Sequence, residues 1–348
     1  MLGLPRKWRR PTSRLTGSEV VPVVQVRHND YHEIPPNTAA PEIGRLARSW
    51  LRKCIEEHPN CDPLRPSRRC PPRLLDISDE TSRPRLVLTA SEYPPSTPYV
   101  ALSHCWGLER FLTLDVFSLD KFTTEGIDYD DLPQNFRDAI RICRMLDIKY
   151  LWIDSLCILQ SGLGSAEDWL HHVKIMGSIY QNSILCISTA EATQANDGSV
   201  IVVPNSLHGY WNSRLASRGW VLQERMLSPR VLTFASGQVY WHCTATEYHN
   251  VCETFPSGVP FELPRSGPLT IPHAHSQTLA VKDRDRWAEI RGTYSRCALT
   301  RADLDKFAAF SAIAERFSHA CGDDEYVAGF FKHELPATLT WSITPEHR

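Results

Sequence analysis

Apolar residues in this chain fall into short unbroken runs and helix-spaced stripes, and their order predicts a layered α/β core. Tyr99-Val-Ala-Leu-Ser103 is an apolar run of strand length that passes straight into Ser-His-Cys-Trp-Gly. Leu132-Pro133 predicts a helix start, since proline is tolerated at the first helical position. Phe136, Ile140 and Cys143 then make one apolar face. Tyr150-Leu-Trp-Ile153 is a buried-strand pattern ending in Asp154. A helix follows with the stripe Trp169, Val173, Met176 and Tyr180, and Asp168 is expected to cap it. Ile184-Leu-Cys-Ile-Ser188 is a further strand. Strand, helix, strand, helix, strand at these spacings implies right-handed crossovers and a parallel sheet.

The flanks read differently. Residues 1–40 carry few periodic apolar positions and are expected to be a poorly ordered lead-in. Residues 41–98 predict one helix over Ile43 to Glu57 and a proline-rich stretch. Within that stretch, Arg73 to Ile77 and Arg85 to Thr89 have strand length. Residues 99–245 hold the core, with an alternating strand at Gly237 to Trp241 and a surface insertion between Ala190 and Trp211. Residues 246–280 are rich in Pro, Ser and His and are expected to be a linker or long loop. Residues 281–348 predict a helical layer, Trp287 to Tyr294 and Leu304 to Phe317, with Phe307, Phe310, Ile313 and Phe317 inward.

Composition narrows the classes. The 348 residues are 42% hydrophobic and 22% charged with a net charge of −2, ordinary globular values. Neither a basic stripe nor finger spacing is present, so no nucleic-acid partner is expected. The apolar runs are far shorter than the roughly 20 residues of a membrane span. The 11 cysteines include no Cys-x-x-Cys pair, and no secretory signal precedes them. Reduced thiols and a cytoplasmic location are the expectation.

Three ordered blocks carry more specific information. The first contains Ser103, Cys105, Trp106 and Gly107. The second joins Pro133, Phe136, Asp138 and Ala139 to Tyr150-Leu-Trp-Ile-Asp154, Leu156, Cys157, Ile158 and Gln160. The third is Arg218, Trp220, Gln223, Glu224, Leu227, Ser228 and Arg230. Together they resemble the heterokaryon-incompatibility (HET) domain of filamentous fungi. Trp50-Leu-x-x-Cys54, His58 and Cys61, with Pro72-Arg73-Leu-Leu-Asp76, resemble what usually precedes that domain. One departure stands out: His172 occupies a position where the family carries Glu.

The HET family is in turn remotely similar to TIR domains. That resemblance implies a TIR-like (flavodoxin-like), mostly parallel sheet with flanking helices, here with an N-terminal extension and a C-terminal helical layer. Many TIR domains act in cell death, some by cleaving NAD at the nicotinamide bond. TIR hydrolases place the catalytic Glu four residues after a Trp, a spacing that Trp220 and Glu224 share. The resemblance therefore implies an NAD glycohydrolase with Glu224 as its catalytic carboxylate. Ser103, Trp106, Gly107, Asp154, Arg218 and Trp220 are the candidate nucleotide-binding residues. No cofactor is required on this reading, and NAD is the substrate. Arg225 and Arg230 share with Arg218 the ability to hold a pyrophosphate through bidentate contacts. The alternative is a signalling module without chemistry, assembling with itself or with another incompatibility protein.

Simpler roles compete for several of these residues. Glu224 can serve as the ion-pair partner of Arg218 or Arg230, Asp154 as a local cap, and Trp220 as core. His104 and Cys105 are adjacent on a strand and so point to opposite faces, which argues against a Cys-His nucleophile pair. Cys54, His58, Cys61 and Cys70 lack tight zinc-finger spacing, and Cys243 with His249 and Cys252 is weaker still, so packing and no metal are expected.

Overall fold

A computed structural model describes residues 41–61, 69–79, 83–89, 97–190, 192, 213–235, 238–244, 251–254, 260–261, 281–320, 325–327 and 329–335. The described residues belong to one compact unit. The expected lead-in and most of the Ala190–Trp211 insertion fall outside the described residues. No described helix is long and apolar enough to cross a membrane.

The centre is a parallel layer. Strands β3 (Val100–Ser103), β4 (Tyr150–Trp152), β5 (Leu185–Thr189) and β6 (Arg230–Ala235) lie in the order β4-β3-β5-β6. All three pairings are parallel, with Ser103 opposite Ser188 and Ser188 opposite Thr233. Numbered from β3, that order is 2-1-3-4. Its connections therefore reverse direction at β3, where such sheets open a crevice beyond the strands' carboxyl ends. Every residue of β3, β5 and β6 is buried, as expected of a sheet covered on both faces.

The flanking strands are antiparallel. β1 (Arg73–Asp76) pairs with β4 and with β2 (Arg85–Leu88), completing one edge. β7 (Gln238–Cys243) pairs with β6 and is extended by β8 (Val251–Thr254) and β9 (Pro260–Phe261). Among the described residues the sheet thus has nine strands, a parallel centre flanked by antiparallel strands, as expected of an α/β fold. Residues 246–280 accordingly include two strands and are not wholly a linker. Their polar composition concealed strands at an edge, where one face can meet water.

Helices group on the sheet according to the crossovers. α1 (Pro41–Glu57) packs against β7 and against α3 (Gln134–Met145), which follows the short α2 (Leu119–Thr124). A single turn, α4 (Asp154–Cys157), leaves β4, and the long α5 (Ser165–Asn182) leads to β5. α5 contacts α6 (Gly219–Leu227), and both meet α8 (Ala302–Ala320), which follows α7 (Val281–Ser295). Asp168 does not cap α5. Gly164, at φ 86°, occupies that position, and Asp168 lies in the first turn.

The main core fills the space around the parallel strands. A second cluster joins Leu222 and Met226 of α6 to Trp287, Ile290, Phe310, Ile313 and Phe317. Phe310, Ile313 and Phe317 face inward as the spacing predicts, but Phe307 is exposed. Ala309 and Ala314 are buried beside them.

Candidate functional site

Ser103 closes β3 and Asp154 follows β4, so both sit at the carboxyl edge of adjacent parallel strands. The loop after β3 then lies along the segment after β4. Leu114 N–H donates to the Ser155 carbonyl and Gln160 N–H to the Leu114 carbonyl, each at 2.8 Å. Trp106 Nε1–H donates to Asp154 Oδ2 at 2.8 Å, while its ring meets Phe111 edge-on at 5.6 Å. Asp154 Oδ1 accepts the Ser155 N–H at 2.7 Å. Gly107, at φ 75°, turns the chain away into the exposed loop, a conformation open to glycine at little cost.

α6 brings the third block to the same edge. Its first residue, Gly219, donates its N–H to the Ala298 carbonyl at 2.9 Å. A side chain at Gly219 would meet Leu299 at 2.5 Å, so this close approach requires glycine. Arg218 stands at the N-cap and donates from Nη1 to the His104 carbonyl at 2.9 Å, tying α6 to the loop after β3. One helical turn on, Glu224 is partly exposed and its carboxyl faces Ser103, Tyr180, Arg218 and Asp154.

The electrostatics of Glu224 follow from those neighbours. Burial of the carboxyl raises its pKa from 4.5 to about 7. The Ser103 hydroxyl and the Arg218 charge pull it down, the Asp154 charge adds to the rise, and the Tyr180 hydroxyl opposes it. Ser103 Oγ is buried beside the carboxyl and favours its ionised form. Tyr180 hydroxyl donates to the Leu102 carbonyl at 3.3 Å, and burial lifts its own pKa well above normal.

Other candidates lie elsewhere. Trp220 meets Trp169 edge-on at 5.9 Å and packs, partly buried, against the core. Arg225 carries its charge toward His242 and Cys297. Arg230 is fully buried at the start of β6, the amino edge of the parallel strands, and reaches Cys54. Of the three arginines, Arg218 is the one with a leading influence on Glu224. Tyr180 was legible only as part of an apolar stripe, because its hydroxyl matters through a neighbour on another helix.

His104 and Cys105 do face apart. His104 is buried between Phe136, at 5.0 Å, and Asp154, with Nδ1 3.7 Å from Oδ1. Burial lowers its pKa against the pull of Asp154. Cys105 belongs to a separate cluster with Leu215, Val221 and Tyr240. His172 is buried beneath the start of α5, its Nδ1 2.8 Å from the Asp168 carbonyl. Asp168 in turn binds the Arg73 guanidinium and accepts the Leu159 N–H at 2.7 Å. His172 thus sits beside the contact between α5 and β1.

The arrangement offers one carboxyl of raised pKa, a buried hydroxyl, a guanidinium and a second carboxylate at the reversal point of a parallel sheet. Comparison with the curated proteins and with the solved structures returned no match. Residues 99–211 match the family model described as Heterokaryon incompatibility protein (HET), a span that runs from β3 past β5 and ends before α6. The chain carries a domain of the heterokaryon incompatibility (HET) family.

Proposed function

We propose that this chain acts in fungal heterokaryon incompatibility and that its HET domain hydrolyses NAD at the nicotinamide bond, with Glu224 as the catalytic carboxylate. The observation that carries this reading is the convergence of Glu224, Ser103, Arg218 and Asp154 at the carboxyl edge of β3 and β4. The 2-1-3-4 order of the parallel strands supports it, because flavodoxin-like sheets, to which TIR domains belong, use that order.

The chemistry asks little of the protein. The bond between ribose C1′ and the pyridinium nitrogen breaks, its electron pair leaves with neutral nicotinamide, and positive charge grows on the ribose. Water then forms the new C1′–O bond and gives up a proton. A carboxylate beside the ribose stabilises the oxocarbenium-like centre and accepts hydrogen bonds from the ribose hydroxyls. Glu224 does this when ionised. Arg218 meets the pyrophosphate, and the Ser103 hydroxyl helps to keep Glu224 ionised beside the ribose.

The test follows nicotinamide release from NAD by the full chain, concentrated to favour self-association. Wild type is expected to release nicotinamide, and Glu224→Gln to lose about a hundredfold or more of the rate. Equal rates for the two proteins, or silence from wild type, overturn the enzymatic reading.

A second reading, assembly without chemistry, draws on Leu108, Phe117 and Leu163, which are 92%, 89% and 91% exposed on the loops around this edge. It predicts cell death that survives Glu224→Gln and is lost when these three residues become polar.

A further inference from the structure

At the amino edge of the parallel strands, away from Glu224, four soft ligands converge. Cys54 and His58 lie one turn apart at the end of α1. A 3-10 turn over Pro59–Cys61 carries the chain back, with His58 N–H donating to the Cys54 carbonyl at 3.1 Å and Cys61 N–H to the His58 carbonyl at 3.0 Å. Cys243 arrives from the far end of β7, 182 residues later in the chain than Cys61. The ligand atoms of all four residues lie within 4.8 Å of one another, and His58 Nδ1 is 3.4 Å from Cys243 Sγ. Cys54, Cys61 and Cys243 are buried, and His58 is half-buried.

We propose that Cys54, His58, Cys61 and Cys243 hold one structural zinc ion. Tetrahedral zinc with bonds of about 2.3 Å to sulfur sets its sulfurs about 3.7 Å apart, so the cluster reaches that geometry by small side-chain movements. A Cys3His set with no open position is the structural kind of site. Cys70, which the sequence groups with these residues, is not a member: its thiol points to the Thr97 carbonyl at 3.5 Å.

The surroundings fit a charged site. Zinc with three thiolates carries one net negative charge. Arg230 is fully buried beside it and pairs with Cys243 in the β6–β7 register. Its Nε–H donates to Cys54 Sγ at 3.1 Å and its Nη1 to the Ile184 carbonyl at 3.2 Å, while Nη2 has no partner among the described residues. A buried guanidinium beside neutral thiols would be an uncompensated charge. Beside a thiolate-bound zinc it is the counter-charge, and its hydrogen bond to a ligand sulfur is the outer-shell contact such sites use. Thr244 Oγ1 lies 3.5 Å from Cys61 Sγ in the same role. The ion would clamp α1 to the antiparallel wing of the sheet, where Trp50 and Trp241 already meet at 6.2 Å.

Purified full chain, prepared without chelator, tests this by metal analysis and by cobalt replacement. Expected are one zinc per chain, and visible bands of tetrahedral, thiolate-bound cobalt in the replaced protein. Cys243→Ser and His58→Asn should lower zinc content to about a tenth or less, while Cys143→Ser, buried outside the cluster, keeps it. Chelation should speed hydrogen exchange in residues 41–61 and 238–243 and leave residues 150–160 protected. Folded wild type that takes up no zinc from solution overturns the proposal, as does full zinc content in Cys243→Ser or a disulfide among the three thiols. If the variants fail to fold, the cobalt spectrum of wild type decides alone: no sulfur-to-cobalt bands, no site.

Discussion

Trp106 and Asp154, the residues that follow β3 and β4, are joined by an indole N–H bond of 2.8 Å to a carboxylate oxygen. This bond holds two loops of the candidate site in register across adjacent strands. A hydrogen bond to a charged acceptor contributes about 1.5–3 kcal/mol. Trp106→Phe keeps the edge contact with Phe111 and removes the donor. We expect a stability loss of about 1–2 kcal/mol by chemical denaturation and slower nicotinamide release at unchanged fold.

Glu224 gives the reaction a pH signature. With a pKa raised to about 7, it is largely protonated at pH 6 and largely ionised at pH 8. Nicotinamide release should therefore rise through neutral pH and level off above it. Arg218→Met, which removes a charge that favours the ionised form, should move the rise to higher pH. A profile flat between pH 6 and 8 contradicts this assignment.

The same carboxyl affects folding. Its folded pKa lies above its unfolded value of 4.5, so its contribution to stability is fully present below pH 4.5 and is lost as pH rises through about 7. Glu224→Gln should consequently be more stable than wild type at pH 8, by at most about 3 kcal/mol, and little different at pH 4.5. Denaturant titrations at the two pH values measure it.

Asp168 has the opposite sign. Burial raises its pKa, but Arg73 and the Leu159 N–H more than offset that and leave it below normal. Its contribution is present above pH 3.8 and disappears as the solution is acidified further. Asp168→Asn leaves the Arg73 guanidinium, 13% exposed, without its partner and should cost about 3 kcal/mol at pH 7.

Gly177 marks a close approach of α5 and α8. A Cβ there would fall 2.3 Å from Ala312 Cβ and 3.0 Å from Leu227 Cδ1. Gly177→Ala should destabilise by about 1–3 kcal/mol through overpacking. Ala312→Gly in the same chain should recover part of that loss, and a double-mutant cycle gives the coupling.

Much of the core is legible along the chain, because periodicity reports which face of an element is apolar. Strands β3, β4 and β5 and helices α1, α3 and α5 fall within a few residues of their expected positions. The ordered motifs of residues 99–211 identify the family. Periodicity does not report which neighbour covers a face. Phe307 repeats the stripe of Phe310 yet is exposed, because no described element covers that position of α8.

The amino-acid sequence by itself determined the strand–helix alternation, the family and the Glu that follows Trp220 by one helical turn. Only the tertiary structure decided what surrounds them. The pKa of Glu224 is set by burial and, besides the nearby Arg218, by groups from β3, the turn after β4 and α5, which are distant in the chain. Arg218 and Arg230, similar in one motif, part to opposite edges of the sheet. Cys243 completes a ligand set begun at Cys54 because β7 pairs with β6 beside α1. Local pattern governs which conformation each segment adopts. Electric fields and ligand geometry depend on distances through space, and only the packed chain sets those.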